Sequence, residues 1–296
     1  MLEFISNNKK PIVTLLLVTV IAYVFYFLDA IKTTSVLVFG WGYAVPLVLA
    51  AMVGIIGERT GVVNIGIEGQ MLMAAFASFF GSVLVGNIFI GMFIGIATGL
   101  LMGAFLALIA VKWEMDQIIA GVVINIVAAG LTSFFYAQGK TLPQLMPTVS
   151  IPLLSDIPLI GPVFFRNGLF ALSTLFIVIA VYYGLFKTRW GLRSRAVGEY
   201  PSAADAAGIN VTRMRMLNVT FAGTLAGCAG AFLALEAAGT FARGLTAGRG
   251  FLALAIMIFG AWNPLGALAA ALFFGLSTAI ASQLQADEVI NIPQQF

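Results

Sequence analysis

The 296-residue sequence has no histidine, one cysteine and little charge: Asp, Glu, Lys and Arg make up 9% of it, against about 25% in soluble domains. Without histidine there is no Ser-His-Asp triad, no imidazole general base and no histidine-bearing metal site. Cys228 cannot form an internal disulfide or hold a metal alone, and between Gly227 and Gly230 it reads as a small apolar packing residue. No G-x-x-x-x-G-K-[ST] phosphate loop is present either. What fills the chain instead is apolar, 61% of all residues, with a net charge of +3. That balance excludes an ordinary water-soluble enzyme and indicates a polytopic membrane protein.

A bilayer core about 30 Å thick needs roughly 20 apolar residues per spanning helix. Long apolar stretches lie at about 11–31, 34–57, 69–86, 88–111, 117–138, 168–186, 217–242 and 250–284. The last is interrupted at Trp262-Asn263-Pro264, and its first part, Gly250 to Ala261, is too short to cross alone; it predicts a half-helix or re-entrant element. The expected fold class is therefore an all-α, polytopic transmembrane helical bundle with about eight membrane elements, some broken or re-entrant. One integral domain fills residues 1–296. The run at 11–31 is too long, and lacks too clear a cleavage site, to be a signal peptide.

Lys187, Arg189, Arg193, Arg195, Arg213 and Arg215 all fall in the connection at about 187–216. The positive-inside rule predicts that this connection is cytoplasmic, and counting back six crossings puts Lys9 and Lys10 on the same side. Residues 139–167 then face outward. Pro143, Pro147, Pro152, Pro158 and Pro162 suit an extended loop there.

Gly91, Gly95, Gly99 and Gly103 recur every fourth residue and form one narrow stripe that lets another helix approach closely. Gly223, Gly227 and Ala231 repeat the pattern later. Both read as packing surfaces.

Polar intrusions mark the candidate solute path. Glycines at 57, 61, 66 and 69, with Asn64, Glu68 and Gln70, predict a break in regular helix between two apolar segments. Within a bilayer such a break lines a cavity or is buried in protein. It also fits a short cytoplasmic turn with solvated charges, fixed by a local Glu58–Arg59 ion pair. Asn125 and Glu236 interrupt apolar helices; Glu236 is either a functional carboxylate or an ion-pair partner of Arg243. The path candidates are Asn64, Glu68, Gln70, Asn125 and Glu236. None of the 25 phenylalanines is singled out by a stripe as part of an aromatic clamp.

Within the basic connection, Pro201 suits the first turn of a short helix, Ala203–Ala207 continues it and Gly208 stops it. Presented between basic flanks, it has the form of a docking element or of an inert, topology-setting loop.

The run from Gly57 to Met73, followed at long range by Arg195-Ala196-Val197-Gly198-Glu199 and by Ala203-Ala204 to Gly208-Ile209, resembles the permease subunits of bacterial ABC importers. It is most similar to the nucleoside and simple-sugar branch, related to ribose and branched-chain amino-acid permeases. The resemblance covers about residue 40 to the C-terminus. It implies a nucleoside permease forming half of a translocation path, paired with a second permease that is paralogous or identical. It also implies a solute-binding protein outside, a cytoplasmic ATPase carrying ATP-Mg on its own chain, a bacterial inner-membrane location, and no cofactor or enzymatic activity in this chain. The coupling helix maps to about Pro201–Gly208, with Glu199, Pro201, Ala203, Ala204, Asp205 and Gly208 as coupling residues. The resemblance further implies another apolar helix beyond Pro293–Phe296. Rival readings are a ribose-like sugar permease, a secondary transporter using Glu68 and Glu236 as ion sites, and a membrane scaffold.

Overall fold

The computed structural model describes residues 22–286; seven of its helices are long and apolar enough to cross a bilayer, and one shorter apolar helix accompanies them. Most of the expected span at 11–31, together with Lys9, Lys10 and Pro293–Phe296, lies outside the described residues, and residues 22–28 are helical. Helix α1 is Ala30–Glu58, α2 is Ile67–Val85, and α3 is Ile88–Ala107 extended by a π-helical turn, Leu108–Lys112. Helix α4 is Gln117–Phe134 and α5 is Leu169–Lys187. Two short helices follow, α6 (Arg189–Glu199) and α7 (Pro201–Ala206). Helix α8, Val211–Ala231, ends in a π-helical stretch, Phe232–Ala237. The chain closes with α9 (Arg249–Phe259) and α10 (Pro264–Ala286).

Starts and stops follow local chemistry. Asn87 accepts from the N–H groups of Phe89 and Ile90, Asp116 from those of Ile118 and Ile119, and Asn210 from Arg213 N–H. Each side chain satisfies donors that a helix start leaves unpaired. Pro201 opens α7, and Gly208, at φ +79°, lies just past its end, as the sequence predicts.

Helix α1 is the central post, with every residue from Ala44 to Gly57 buried. It packs on α8, α9 and α10, while α2, α3 and α8 form a tight slab beside it. The glycine stripe of α3 meets the Gly223/Gly227/Ala231 stripe of α8 directly. A Cβ at Gly103 would lie 2.8 Å from the Val219 carbonyl, and one at Gly99 would strike the backbone of Gly223 and Gly227. Cys228 is half-buried against the same core.

Two expectations are refined. The break after α1 is confined to residues 59–66, because Gly57 and Gly69 both lie inside helices. Gly69 serves contact instead: a Cβ there would lie 2.8 Å from Asn125 Cα. The proline-rich connection is not wholly irregular, since Val149–Ser150 pairs antiparallel with Arg166–Asn167.

The predicted half-helix is present. At 1.5 Å per residue, the 11 residues of α9 reach about 16 Å, half of a bilayer core. A turn joins α9 to α10, with Ala261 and Trp262 both at φ 53°. Two consecutive non-glycine residues in this region are strained and need outside support.

Candidate functional site

A cavity of about 510 Å³ opens between the first half of α1, the start of α5 and the π-helical end of α8. Its size falls in the ~300–1,000 Å³ range of small-molecule sites. Phe39, Tyr43 and Phe232 give it aromatic surface, and Thr148, Asn167, Glu236 and Arg249 give it polar groups.

The backbone of α1 contributes as well. Pro46 lies inside the helix and lines the cavity with Gly42. Proline has no N–H, so the Gly42 carbonyl lacks its usual helical donor. Nothing lies within 4 Å of a Cβ built on Gly42. A membrane helix tolerates such a broken rung where it faces a cavity.

Glu236 comes from the π-helical stretch and reaches the first turn of α5. Its Oε2 accepts from Phe170 N–H at 3.0 Å and its Oε1 from Ala171 N–H at 3.3 Å. A carboxylate at a helix N-terminus is favoured by both the free N–H groups and the helix dipole. Gly168 makes this approach feasible, since a Cβ there would collide with the carboxylate. Arg243, the expected ion-pair partner, instead lies over the Tyr136 ring, 5.2 Å from its centroid. A carboxylate has about four lone-pair positions, so two bonds leave Glu236 with acceptor capacity beside the cavity.

Of the other sequence candidates, Asn64 lies in the 59–66 break, Glu68 and Gln70 follow it in α2 and Asn125 faces it from α4; none of them lines this cavity. Glu68 accepts from Thr246 Oγ1 at 2.6 Å, Gly248 N–H at 2.8 Å and Gly250 N–H at 2.6 Å, anchoring the start of α9. Asn125 accepts from Gly69 N–H at 2.7 Å and donates to the Ile65 carbonyl at 3.0 Å, stitching α4 to the break. Asn64 and Gln70 are buried and bonded to each other at 3.2 Å, leaving Asn64 Oδ1 and Gln70 Nε2 without a partner. The break is thus a partly buried segment held by hydrogen bonds, with Asn64 inside and Val63 exposed, rather than a wholly solvated turn.

Glu58 and Arg59 do not pair with each other. Glu58 Oε2 accepts from the Trp262 indole N–H at 2.5 Å, while Arg59 donates to the Trp262 carbonyl at 3.2 Å and the Ala261 carbonyl at 3.4 Å. These bonds support the strained α9–α10 turn. The guanidinium groups of Arg59 and Arg195 both lie over the Phe186 ring, at 5.5 and 5.2 Å, a cation–π arrangement. Glu199 joins Glu58, Arg59, Gly198 and Trp262 around a cleft of about 270 Å³. Of the remaining α7 candidates, Ala203, Asp205 and Gly208 are exposed, Pro201 is half-buried, and Ala204 is buried against its own chain.

Sequence reading passed over Arg249, Asn167, Tyr43 and the Gly42–Pro46 step. Pro46 was the available signal, being a proline deep in an apolar run. Asn218 was another: a buried amide that accepts from Trp190 Nε1 and donates to Thr60 and Ser194, each at 2.9 Å.

A family model for the permease component of branched-chain amino acid transport systems matches residues 36–292. The guanosine ABC transporter permease protein NupQ of Bacillus subtilis is 41% identical over 252 residues, covering 80% of this chain and 79% of NupQ. The nucleoside ABC transporter permease protein NupC of Lactococcus lactis is 40% identical, covering 81% of this chain and 79% of its own. A putative glucose ABC transporter permease, TsgC13 of Haloferax volcanii, is 36% identical over 243 residues, covering 80% of this chain and 74% of its own. No solved structure matched the chain. Permeases of this family act with an ATPase, a solute-binding protein and a second permease, and carry no enzymatic activity themselves. With its crossing helices, half-helix and matched sequence, this chain belongs to that family and is a multi-pass ABC transporter permease subunit.

Proposed function

We propose that this chain is a nucleoside permease forming one half of the path of an ATP-driven importer, with residues 1–296 as a single permease domain. The observation that carries the reading is the 510 Å³ cavity, which combines aromatic faces with the acceptors of Glu236 and Gly42. A nucleoside offers hydroxyl donors on its sugar and a flat base, and the two needs are complementary: hydroxyls to the acceptors, base to Phe39 and Tyr43. A guanosine and a nucleoside permease, 41% and 40% identical to this chain, support that choice over the sugar permease by a narrow margin, since TsgC13 is 36% identical. Of the five path candidates, Glu236 is proposed to contact solute, while Asn64, Glu68, Gln70 and Asn125 shape the protein behind it.

The remaining partners follow from the same reading. Glu199, Pro201, Ala203, Ala204, Asp205 and Gly208 form the corner that an ATPase carrying ATP-Mg engages on the cytoplasmic side of a bacterial inner membrane. The N-terminus lies on that side. The second permease is a paralogue or a copy. Helix α9 is the proposed lever: Arg249 at its start lines the cavity, and the turn after it reaches Glu199 through Trp262. Movement of the corner would then alter the cavity. Solute must bind the outward- and inward-facing states unequally for ATP to drive net transfer.

The test is labelled guanosine, adenosine and ribose uptake into proteoliposomes holding the complete complex, with and without enclosed ATP. ATP-dependent nucleoside uptake that ribose does not compete away is expected. Ribose uptake in preference to nucleosides would replace the reading with the sugar permease. Uptake driven by an ion gradient without ATP would contradict both.

A further inference from the structure

Around α6, the start of α8 and the Ala207–Asn210 connection lies a second open groove, of about 660 Å³, which shares Gly208 with the proposed ATPase corner but whose two arginines the transport reading does not use. Its position is fixed by Asn218, which is 1% exposed and joins Trp190 and Ser194 of α6 to α8 and to Thr60. That hub turns one face of α8 inward: Arg215 Nε donates to the Thr60 carbonyl at 3.2 Å. The opposite face, with Arg213, Met214 and Leu217, lines the groove, and Arg193 and Leu192 face it from α6.

Three features identify what fits. Arg193 and Arg213 are exposed, neither guanidinium has a protein partner among the described residues, and no Asp or Glu lines the groove. The charges sit where crossing helices begin or end, Arg213 in the first turn of α8 and Arg193 just after α5 stops at Lys187. The apolar floor continues inward from there. Leu217 lies four residues, about 6 Å, further along the crossing helix and is 43% exposed, and Leu192 is 63% exposed. An occupant touching both arginines and Leu217 is anionic at one end and apolar along the rest, as a phospholipid beside a crossing helix is.

We infer that this groove binds an anionic phospholipid, its phosphate between Arg193 and Arg213 and an acyl chain along Met214 and Leu217. Basic residues beside crossing helices bind acidic headgroups in this way. The inference is independent of which solute the permease carries.

Native mass spectrometry of the complete purified complex, titrated with phosphatidylglycerol or phosphatidylcholine, tests it. Each basic residue near an anionic surface is worth about 1 kcal/mol. Arg193→Gln or Arg213→Gln alone should therefore weaken phosphatidylglycerol binding about 5-fold, and the double variant roughly 25-fold. The double Arg→Lys variant should retain most of the binding. Equal binding of the two lipids by the unaltered complex, or unchanged phosphatidylglycerol binding in the double Gln variant, would overturn the inference. Loss of the ATPase chain from that variant with lipid adducts intact would also overturn it, and would assign the groove to a protein interface. The single variants keep the test readable if the double variant is poorly produced.

Discussion

Glu68 and Glu236 are carboxylates on two crossing helices, and both do the same local task in different surroundings. Each is carried by one helix and accepts N–H groups at the start of another, α9 for Glu68 and α5 for Glu236. Around Glu68 the site is closed: three donors converge on it, and a Cβ at Gly250 would lie 2.5 Å from the Glu68 backbone nitrogen. Around Glu236 the packing is open on one side, where the 510 Å³ cavity begins. The difference teaches that a membrane carboxylate is not a solute or ion site by virtue of its charge. What separates the two is acceptor capacity left over beside accessible space.

Substitutions can break this comparison in order of effect. Glu68→Ala leaves the half-buried Gly248 N–H and the buried Gly250 N–H without an acceptor, and the largest loss is expected there, about 3 kcal/mol. Thermal unfolding of the purified complex should show it, with transport disappearing together with folded protein. Wild-type stability in this variant would mean that the closed site is not structural. Glu236→Gln keeps an acceptor for α5 but weakens charged hydrogen bonds to solute. Its half-saturation for uptake should rise about 10- to 100-fold at near-normal stability. An unchanged half-saturation would remove Glu236 from the path.

Two smaller changes sharpen the closed side. Asn125→Ala removes the stitch between Gly69 N–H and the Ile65 carbonyl and should cost about 2 kcal/mol of stability while leaving solute affinity alone. A shifted affinity at intact stability would instead put Asn125 in the path. Thr246→Val deletes one neutral donor to Glu68 and should cost about 1 kcal/mol, measurable as a small drop in the unfolding midpoint.

Much of the architecture was legible because it rests on periodicity and local chemistry. The apolar runs marked the helices, Trp262-Asn263-Pro264 marked the end of the half-helix, and Pro201 with Gly208 delimited α7. The four-residue glycine spacing on α3 identified a packing face, although only the fold could pair it with Gly223 and Gly227. The site was less legible. Asn64, Glu68, Gln70 and Asn125 stand out as polar residues in apolar surroundings, yet sequence does not say whether a polar group will meet protein or solute. Glu236 and Phe170, 66 positions apart, meet only because α8 and α5 converge. The Arg59–Trp262 contact, across 203 positions, is equally non-local and replaces the adjacent Glu58–Arg59 pair that the sequence suggests. Pro46 is a signal in the apolar run around Gly42, but only the fold shows that both residues line a cavity.

The most direct measurement uses Gly42, where a new side chain meets nothing within 4 Å. With Cys228 replaced by Ala, a Gly42→Cys variant in the reconstituted complex can be labelled with a small maleimide while guanosine or ribose is supplied through the binding protein. The account predicts that guanosine slows labelling of the cavity cysteine and ribose does not, and that Glu236→Gln in the same background abolishes the protection. Labelling at the same rate with and without guanosine, in a complex that still transports it, would contradict passage through this cavity.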